Sequence, residues 1–399
     1  MKILVTSMTD LKASQHNRPH QFVRYLAQKH DVTVLSINDW WKNGQRTSDT
    51  YKLGFDDFFD QIDYRYLTDR KISPIAQEVL FHRAGYELLN EGFDIQLNHH
   101  SLVTGYELSK SLTTVFDIAD DLIAMIKDSP QIPRPLRPYG SALGSFFLQK
   151  GIKQAQSVTL TCDALKDKYS IPDAKSSIIP NGVDLNAFKN HNGKAAISSD
   201  GFVVGYVGVL REWVDFEPVF KALRMLDKRI KMLIVGKEGQ FRETVDLART
   251  CGVDDRVTFT GQVDYADVPR YIAAMDVCMI PFKSNEISAG AVPLKLFEYM
   301  ACGKPVISTR LQGVEAVAHD IVQYCSSVED YAEAITRLYE DETLRKRVGG
   351  EGEKLISTNY DWENITKKLE GKLVRAARGE GSVERYQAAA DDAQAISAT

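Results

Sequence analysis

The chain has 399 residues, 44% of them apolar, and a formal charge of -5. That length suits two domains of ordinary size, each with its own core. The charge argues against non-specific nucleic-acid binding as the main activity, and no apolar run approaches the roughly 20 residues a membrane helix needs.

In chain order, Met1 to Ser7 has too short an apolar core for a signal peptide and runs straight into a strand pattern, so a cytoplasmic protein is expected. Short β-branched runs then recur between amphipathic stretches: Ile3 to Val5, Val32 to Leu35, Ile95 to Leu97, Val115-Phe116 and Val158 to Leu160. They continue at Val203 to Val207, Met232 to Val235, Val257 to Phe259, Val277 to Ile280, Val306-Ile307 and Ile321-Val322. Strands alternating with helices predict parallel sheets, with ligands in the crevice beyond the carboxyl ends of the strands. Asn186 to Asp200 is rich in Asn, Gly, Ser and Lys and lacks strand periodicity, which divides the chain into domains 1–185 and 186–360. Trp362, Ile365, Leu369 and Leu373 have helical spacing, and residues from about Gly379 read as a frayed helix or a disordered tail. Cys162, Cys251, Cys278, Cys302 and Cys325 are scattered and odd in number, which reads as buried free thiols.

Several residues fall at strand ends. His99 and His100 follow the Ile95 strand, and neighbouring positions there point to opposite sides. Asp117, Asp120 and Asp121 end the next strand, as a divalent-metal site or as ligand recognition with helix capping. Arg18 and His20 lie in the loop after the first strand. Lys127, Arg134, Arg137, Lys150 and Lys153 flank Phe146-Phe147-Leu148 with only Asp128 opposing them. That segment reads as a dock for an anionic membrane surface or as a solvated helix with a buried Phe pair. Arg211 and Lys237 follow strands of the second half, Arg211 reaching a phosphate or pairing with Glu212 or Asp215.

Pro293 to Thr309 holds a helix, a stop and a strand. Pro293 suits a first helical position, Leu294, Leu296, Phe297, Met300 and Ala301 cover one side, and Lys295, Glu298 and Tyr299 fall on the other. Gly303 suits a left-handed C-terminal cap, and Val306 opens a strand. The loop Ser288-Ala289-Gly290-Ala291 precedes the helix, so its unpaired amides and dipole form an anion site. Lys295 in the first turn opposes the dipole unless an anion binds there. Glu298 serves such a ligand or pairs with Lys295 at i, i+3.

This run resembles the donor-sugar signature of retaining glycosyltransferases with the GT-B fold, the group 1 family also called glycosyltransferase family 4. Ile178 to Phe188, containing Pro180-Asn181-Gly182-Val183-Asp184, resembles that family's interdomain phrase, and Val257 to Val263 its nucleotide-base loop. The resemblance implies two Rossmann-like α/β domains whose parallel sheets face across a deep cleft. The first is an acceptor domain, the second a donor domain, and 361–399 forms a helix crossing back to the first, plus a tail. It implies transfer of a hexose, with retention, from a UDP- or GDP-linked sugar to a hydroxyl of a glycan or lipid-linked acceptor. The setting would be cell-surface polysaccharide or glycolipid biosynthesis, in the cytoplasm or peripherally at the inner face of the membrane, with neither metal nor cofactor.

The same resemblance implies residue roles. Glu298 holds the donor ribose, Lys295 and Arg211 act on the diphosphate, and Lys237 and Val263 are further donor contacts. His99, favoured over His100 by register, contacts donor sugar or acceptor; Arg18, His20, Asp117, Asp120 and Asp121 are acceptor contacts or caps. The family pairs two glutamates, and the first of those positions is here Gly290, so Glu286 or the backbone amides of Gly290, Ala291 and Val292 take its task. The missing carboxylate pair weighs against a retaining glycosidase, and the missing Gly-x-Gly-x-x-Gly against a Rossmann oxidoreductase. A sugar-nucleotide epimerase of the same fold and a catalytically silent sugar-nucleotide-binding subunit are the rival readings.

Overall fold

A computed structural model describes residues 1–43, 53–129, 131–189, 193–196 and 201–380. The tail beyond Glu380 and part of the Asn186 to Asp200 segment lie outside them. The described residues fall into two units. One holds those up to Ile179 and from Thr366 onward, apart from Leu53 and Gly54, which group with the second; the second holds Pro180 to Ile365.

The first unit contains β1 (Lys2–Ser7), β2 (Asp31–Ser36), β3 (Asp63–Tyr66), β4 (Ile95–His99), β5 (Thr114–Ile118), β6 (Ser157–Leu160) and β7 (Ser176–Ile178). They form one sheet in the order β3-β2-β1-β4-β5-β6-β7, parallel at each pairing. β4 and β5 are buried at every position, as expected of central strands covered on both faces. The second unit contains β8 (Phe202–Val207), β9 (Ile230–Val235), β10 (Val257–Gly261), β11 (Val277–Ile280), β12 (Val306–Thr309) and β13 (Gln323–Cys325), ordered β10-β9-β8-β11-β12-β13. These too pair in parallel. The doubly wound α/β class expected from the alternation of strands and helices is therefore present twice.

Strand order reverses beside the first strand of each sheet, between β1 and β4 and between β8 and β11. That switch point is where loops on neighbouring strands diverge and a crevice opens at the carboxyl ends. His99 ends β4 opposite Ser7 of β1, so it stands at the first switch point. Gly208 follows β8 and Phe282 follows β11, at the second.

Three strands depart from the sequence expectation. β3 (Asp-Tyr-Arg-Tyr) and β7 (Ser-Ser-Ile) show no apolar run, and β13 follows the expected Ile321-Val322 instead of containing it. All three are sheet edges. An edge strand is half solvated and needs no continuous apolar run, so hydropathy does not reveal it. The helix Trp362–Ala377 starts against the second unit, where the Trp362 amide donates to the Val183 carbonyl at 3.1 Å. Further along, Glu370 accepts from Lys29 at 2.9 Å and from His30 at 3.0 Å within the first unit. The cysteines are free, all buried except the half-buried Cys302.

Candidate functional site

In the second unit the helix Leu294–Ala301 lies behind the end of β8. Pro293 adopts φ -68° and ψ 137° and is the N-cap, not the first helical residue. It offers no capping side chain, and the amides of Leu294 and Lys295 donate to no described residue. At the other end Gly303 takes φ 64°, and its amide and that of Lys304 close on the carbonyls of Met300 and Tyr299 at 2.9 and 3.1 Å, the Schellman pattern expected there.

The supposed polar face is in fact mostly buried. Tyr299 is fully buried, and its hydroxyl accepts from the Val207 amide at 2.7 Å, pinning the helix to the end of β8. Glu298 is 6% exposed and accepts from the Tyr265 hydroxyl at 2.9 Å. Burial pushes its carboxyl up to about 7, against the opposing pull of the Tyr265 hydrogen bond and the Lys295 charge. Lys295 is half-buried, donates to the Tyr206 hydroxyl at 3.2 Å, and sits 4.6 Å from the Tyr206 ring centroid and 5.2 Å from that of Phe282. It forms no ion pair among the described residues, and desolvation brings its ammonium down to about 8, Glu298 pulling the other way.

Glycine is required in front of this lysine. Gly208 has φ 131°, and a Cβ there would stand 3.0 Å from Lys295 Nζ. Gly236, φ 144°, would place a Cβ 2.2 Å from the Gly208 carbonyl oxygen. The ends of β8 and β9 are thereby stripped of side chains beside the ammonium. Arg211 and Lys237, just beyond, are exposed and form no ion pair among the described residues, so the expected alternative for Arg211, pairing with Glu212 or Asp215, does not occur. Val263 is half-buried beyond β10.

The loop that replaces the first glutamate behaves differently from expectation. Glu286 is exposed at the start of a helical turn, Glu286–Ala289, capped by Asn285. The amides of Gly290 and Ala291 both donate to the Ser288 carbonyl, so they close a turn and do not face a ligand. Gly290 has φ -94°, a value open to any residue. The Val292 carbonyl accepts from Asn181 Nδ2 at 2.7 Å, which fixes the approach to Pro293. Asn181, Tyr206 and Tyr265 are thus site residues that sequence reasoning missed; the Pro-Asn-Gly phrase was the available signal for Asn181.

In the first unit the candidates gather around Asp117. Arg18 donates through Nε and Nη2 to Asp117 at 2.9 and 2.8 Å, Thr159 Oγ1 donates at 2.7 Å, and His99 Nδ1 at 2.9 Å. Arg18 and Asp117 are fully buried. Burial alone would raise the Asp117 carboxyl, but Arg18 and His99 outweigh it and hold it well below the usual carboxylate range. A carboxylate accepts only, so His99 carries its proton on Nδ1, and its Nε2 meets no hydrogen-bonding partner among the described residues. His100 stacks on His99 with centroids 4.1 Å apart, takes φ 62°, and accepts from the Ala119 amide at 2.8 Å. This stitches the end of β4 to the end of β5.

Four expected acceptor contacts are therefore corrected or narrowed. Arg18 is locked onto Asp117, and both are buried structural charges. His20 is fully buried, its Nε2 donating to the Leu11 carbonyl at 2.8 Å and its Nδ1 accepting from the Asn17 amide at 3.1 Å, a capping box for the helix Arg18–Ala27. Burial pushes its imidazole down to about 4. Asp121 caps the helix Leu122–Asp128, accepting from Ala124 at 3.0 Å and from the Tyr169 hydroxyl at 2.7 Å while paired with Lys168. Only Asp120 remains exposed at this strand end.

A family model described as "Glycosyl transferases group 1" matches residues 187–355. A GDP-mannose-dependent alpha-(1-6)-phosphatidylinositol monomannoside mannosyltransferase of Mycobacterium tuberculosis is 28% identical over 214 residues, 50% of this chain and 55% of that protein. An N-acetyl-alpha-D-glucosaminyl L-malate synthase of Bacillus anthracis is 31% identical over 144 residues, 35% of this chain and 36% of that protein. The chain spans about half the length of the curated relatives it matches. Among solved structures, Anabaena HepE in complex with UDP and glucose superposes with a TM-score of 0.71 at 18% identity, covering 94% of this chain and 99% of that one. A sucrose-phosphate synthase from Thermosynechococcus elongatus gives 0.74 at 18% identity, covering 94% and 98%. Likeness at that identity establishes a shared fold alone.

Proposed function

We propose that this chain, whose residues 187–355 match the family model described as Glycosyl transferases group 1, moves a hexose, with retention, from a nucleotide-diphosphate sugar to a hydroxyl acceptor. The observation that carries this reading is Lys295: an ammonium without an ion pair among the described residues, set at an uncapped helix N-terminus and facing strand ends stripped to glycine. Such a socket suits a diphosphate. The bond that breaks joins the anomeric carbon to a phosphate oxygen, leaving two phosphates' worth of charge that Lys295 and the amides of Leu294 and Lys295 stabilise in advance. The acceptor oxygen bonds to the anomeric carbon on the same face, and its proton passes to the departing phosphate oxygen. Arg211 and Lys237 add charge from exposed positions, Glu298 accepts from ribose hydroxyls, and Val263 borders the base.

For the first unit the reading assigns acceptor binding, with His99 Nε2 directed to a hydroxyl of acceptor or transferred sugar and Asp120 as a further contact. The mycobacterial mannosyltransferase is GDP-mannose-dependent and the Anabaena protein is in complex with UDP, so a GDP- or UDP-linked donor is the expectation. A lipid-linked or glycan acceptor of cell-surface polysaccharide or glycolipid synthesis, met at the inner face of a membrane, fits those relatives. No cofactor or metal enters the proposed step. Gly290 in place of the first paired glutamate favours one second reading, a binding subunit without turnover.

Thermal unfolding with UDP, GDP, ADP and dTDP tests the donor site. Ligand at a hundred times its dissociation constant adds about 2.7 kcal/mol. Selective stabilisation by one nucleotide, lost in Glu298→Ala, supports the assignment; no shift with any of them overturns it. Sugar transfer to water or acceptor, measured with the selected donor, then separates the enzyme from the silent subunit.

A further inference from the structure

The helix Arg137–Gln154 is apolar on two opposite faces. Inward, Gly144, Leu148, Gly151 and Ile152 are buried, Gly144 so close to Ile126 that a Cβ would come within 2.6 Å of it. Outward, Leu136 just before the helix and Tyr139, Leu143 and Phe146 within it are 54%, 75%, 49% and 53% exposed. At 3.6 residues per turn these four, spaced by three, four and three, share one stripe, and Lys150 and Lys153 continue it. Large apolar side chains this exposed are few in the described residues, and half of them lie between Met125 and Phe146. Single exposed apolar residues need no explanation, but a stripe does.

The charge around the stripe identifies what it fits. The chain carries a net charge of -5, yet its Lys127 to Lys153 segment sets five cations against Asp128 alone. Arg134, Lys150 and Lys153 are exposed and form no ion pair among the described residues. Lys150 Nζ lies 5.5 Å from the Phe146 ring centroid, its stem along the apolar stripe and its charge at the end of it. Phe146 is not buried, so a solvated helix closed over a Phe pair is not what forms. No helix among the described residues is long and apolar enough to cross a membrane, so the stripe lies on a surface and does not span one.

We propose that the Leu136-Tyr139-Leu143-Phe146 stripe and its flanking cations dock the first unit on an anionic lipid bilayer, apolar side chains among the acyl chains and cations at the headgroups. Delivery of an acceptor from that surface is a further step that rests on the glycosyltransferase reading; the docking itself does not.

Full-length protein is sedimented with vesicles of phosphatidylcholine alone and with vesicles of equal parts phosphatidylcholine and phosphatidylglycerol. Binding to the mixed vesicles only, weakened by salt, is expected. Each cation near an anionic surface contributes about 1 kcal/mol, so Lys150→Gln with Lys153→Gln lowers partitioning on the order of 30-fold. The triple variant Tyr139→Ser, Leu143→Ser, Phe146→Ser abolishes binding while keeping the thermal stability and nucleotide response of the parent, because these side chains are exposed. Equal binding by parent and triple variant, or no binding by the parent, overturns the proposal. A dimer in sedimentation equilibrium that the triple variant dissolves, without vesicle binding, overturns it in favour of a second copy of the chain. Since nucleotide response is read separately, loss of the donor site and loss of docking cannot be confused.

Discussion

The two units each bury charge at the switch point of a parallel sheet, and they do so in opposite ways. In the first, Arg18, Asp117, Thr159 and His99 answer one another within 3 Å, and Asp117 is driven toward its charged form. In the second, Lys295 and Glu298 are both driven toward neutrality, to about 8 and about 7, because burial outweighs the protein groups that oppose it. A self-satisfied cluster is built for shape, and it holds His99 in one tautomer. A site whose charges are undercompensated gains most from a ligand of opposite sign.

The comparison is broken most severely by Asp117→Asn, which leaves Arg18 buried beside a neutral amide. Breaking one partner of such a pair costs about 3–5 kcal/mol, read as a lowered urea midpoint. Replacing Arg18 and Asp117 together by Met and Leu should recover most of it; failure to recover would mean that the pair matters for more than its own charge balance. Lys295→Ala, by contrast, should barely change stability and should lower kcat/KM or nucleotide affinity by about 100- to 1000-fold, roughly 3–4 kcal/mol. In the parent protein, diphosphate affinity should fall as pH rises past about 8, where Lys295 loses its proton, and this fall should vanish in the variant.

Glu298→Gln sharpens the contrast on the stability side. The folded carboxyl, near 7, holds its proton where the unfolded one has lost it, so the parent loses stability as pH rises from about 4.5 to about 7. At pH above 7 the variant should be more stable than the parent by about 1–3 kcal/mol, the gap closing on acidification, although its nucleotide response is weakened. His20 has the reverse sign. Its imidazole titrates at about 4 in the fold, below its ordinary value, so stability is present above that ordinary value and is lost as pH falls toward about 4. The loss is about 1 kcal/mol one pH unit below the ordinary imidazole value, and it should be absent in His20→Asn.

Much of this architecture was readable in residue order. The central strands of both sheets carry apolar runs that hydropathy detects, and β3, β7 and β13 escape it because edge strands are half solvated. The turn at Gly303 was readable because one residue in the left-handed region explains it. The site was readable where a linear phrase carries it, at Lys295 and Glu298, and unreadable where its members come from distant segments. Tyr206 and Tyr265 lie in separate segments upstream of the helix they serve, and nothing in their flanks marks them. Arg18 and His20 mislead when read in sequence alone. Their charge and position at a strand end suggest contact with a ligand, but only the packed fold puts Asp117 against one and a capping turn around the other.

The sequence by itself therefore determined the strand and helix alternation, the helix that carries Lys295 and Glu298, and the basic, aromatic segment at Lys127 to Lys153, because periodicity, turn chemistry and charge are local properties of a chain. The tertiary structure alone decided which charges are internal and which face outward. That outcome depends on desolvation and on partners 33 to 99 positions apart, Tyr265 for Glu298 and Asp117 for Arg18. It also decided that Tyr139, Leu143 and Phe146 stand outside the core, since a helix with two apolar faces can bury only the one its sheet reaches.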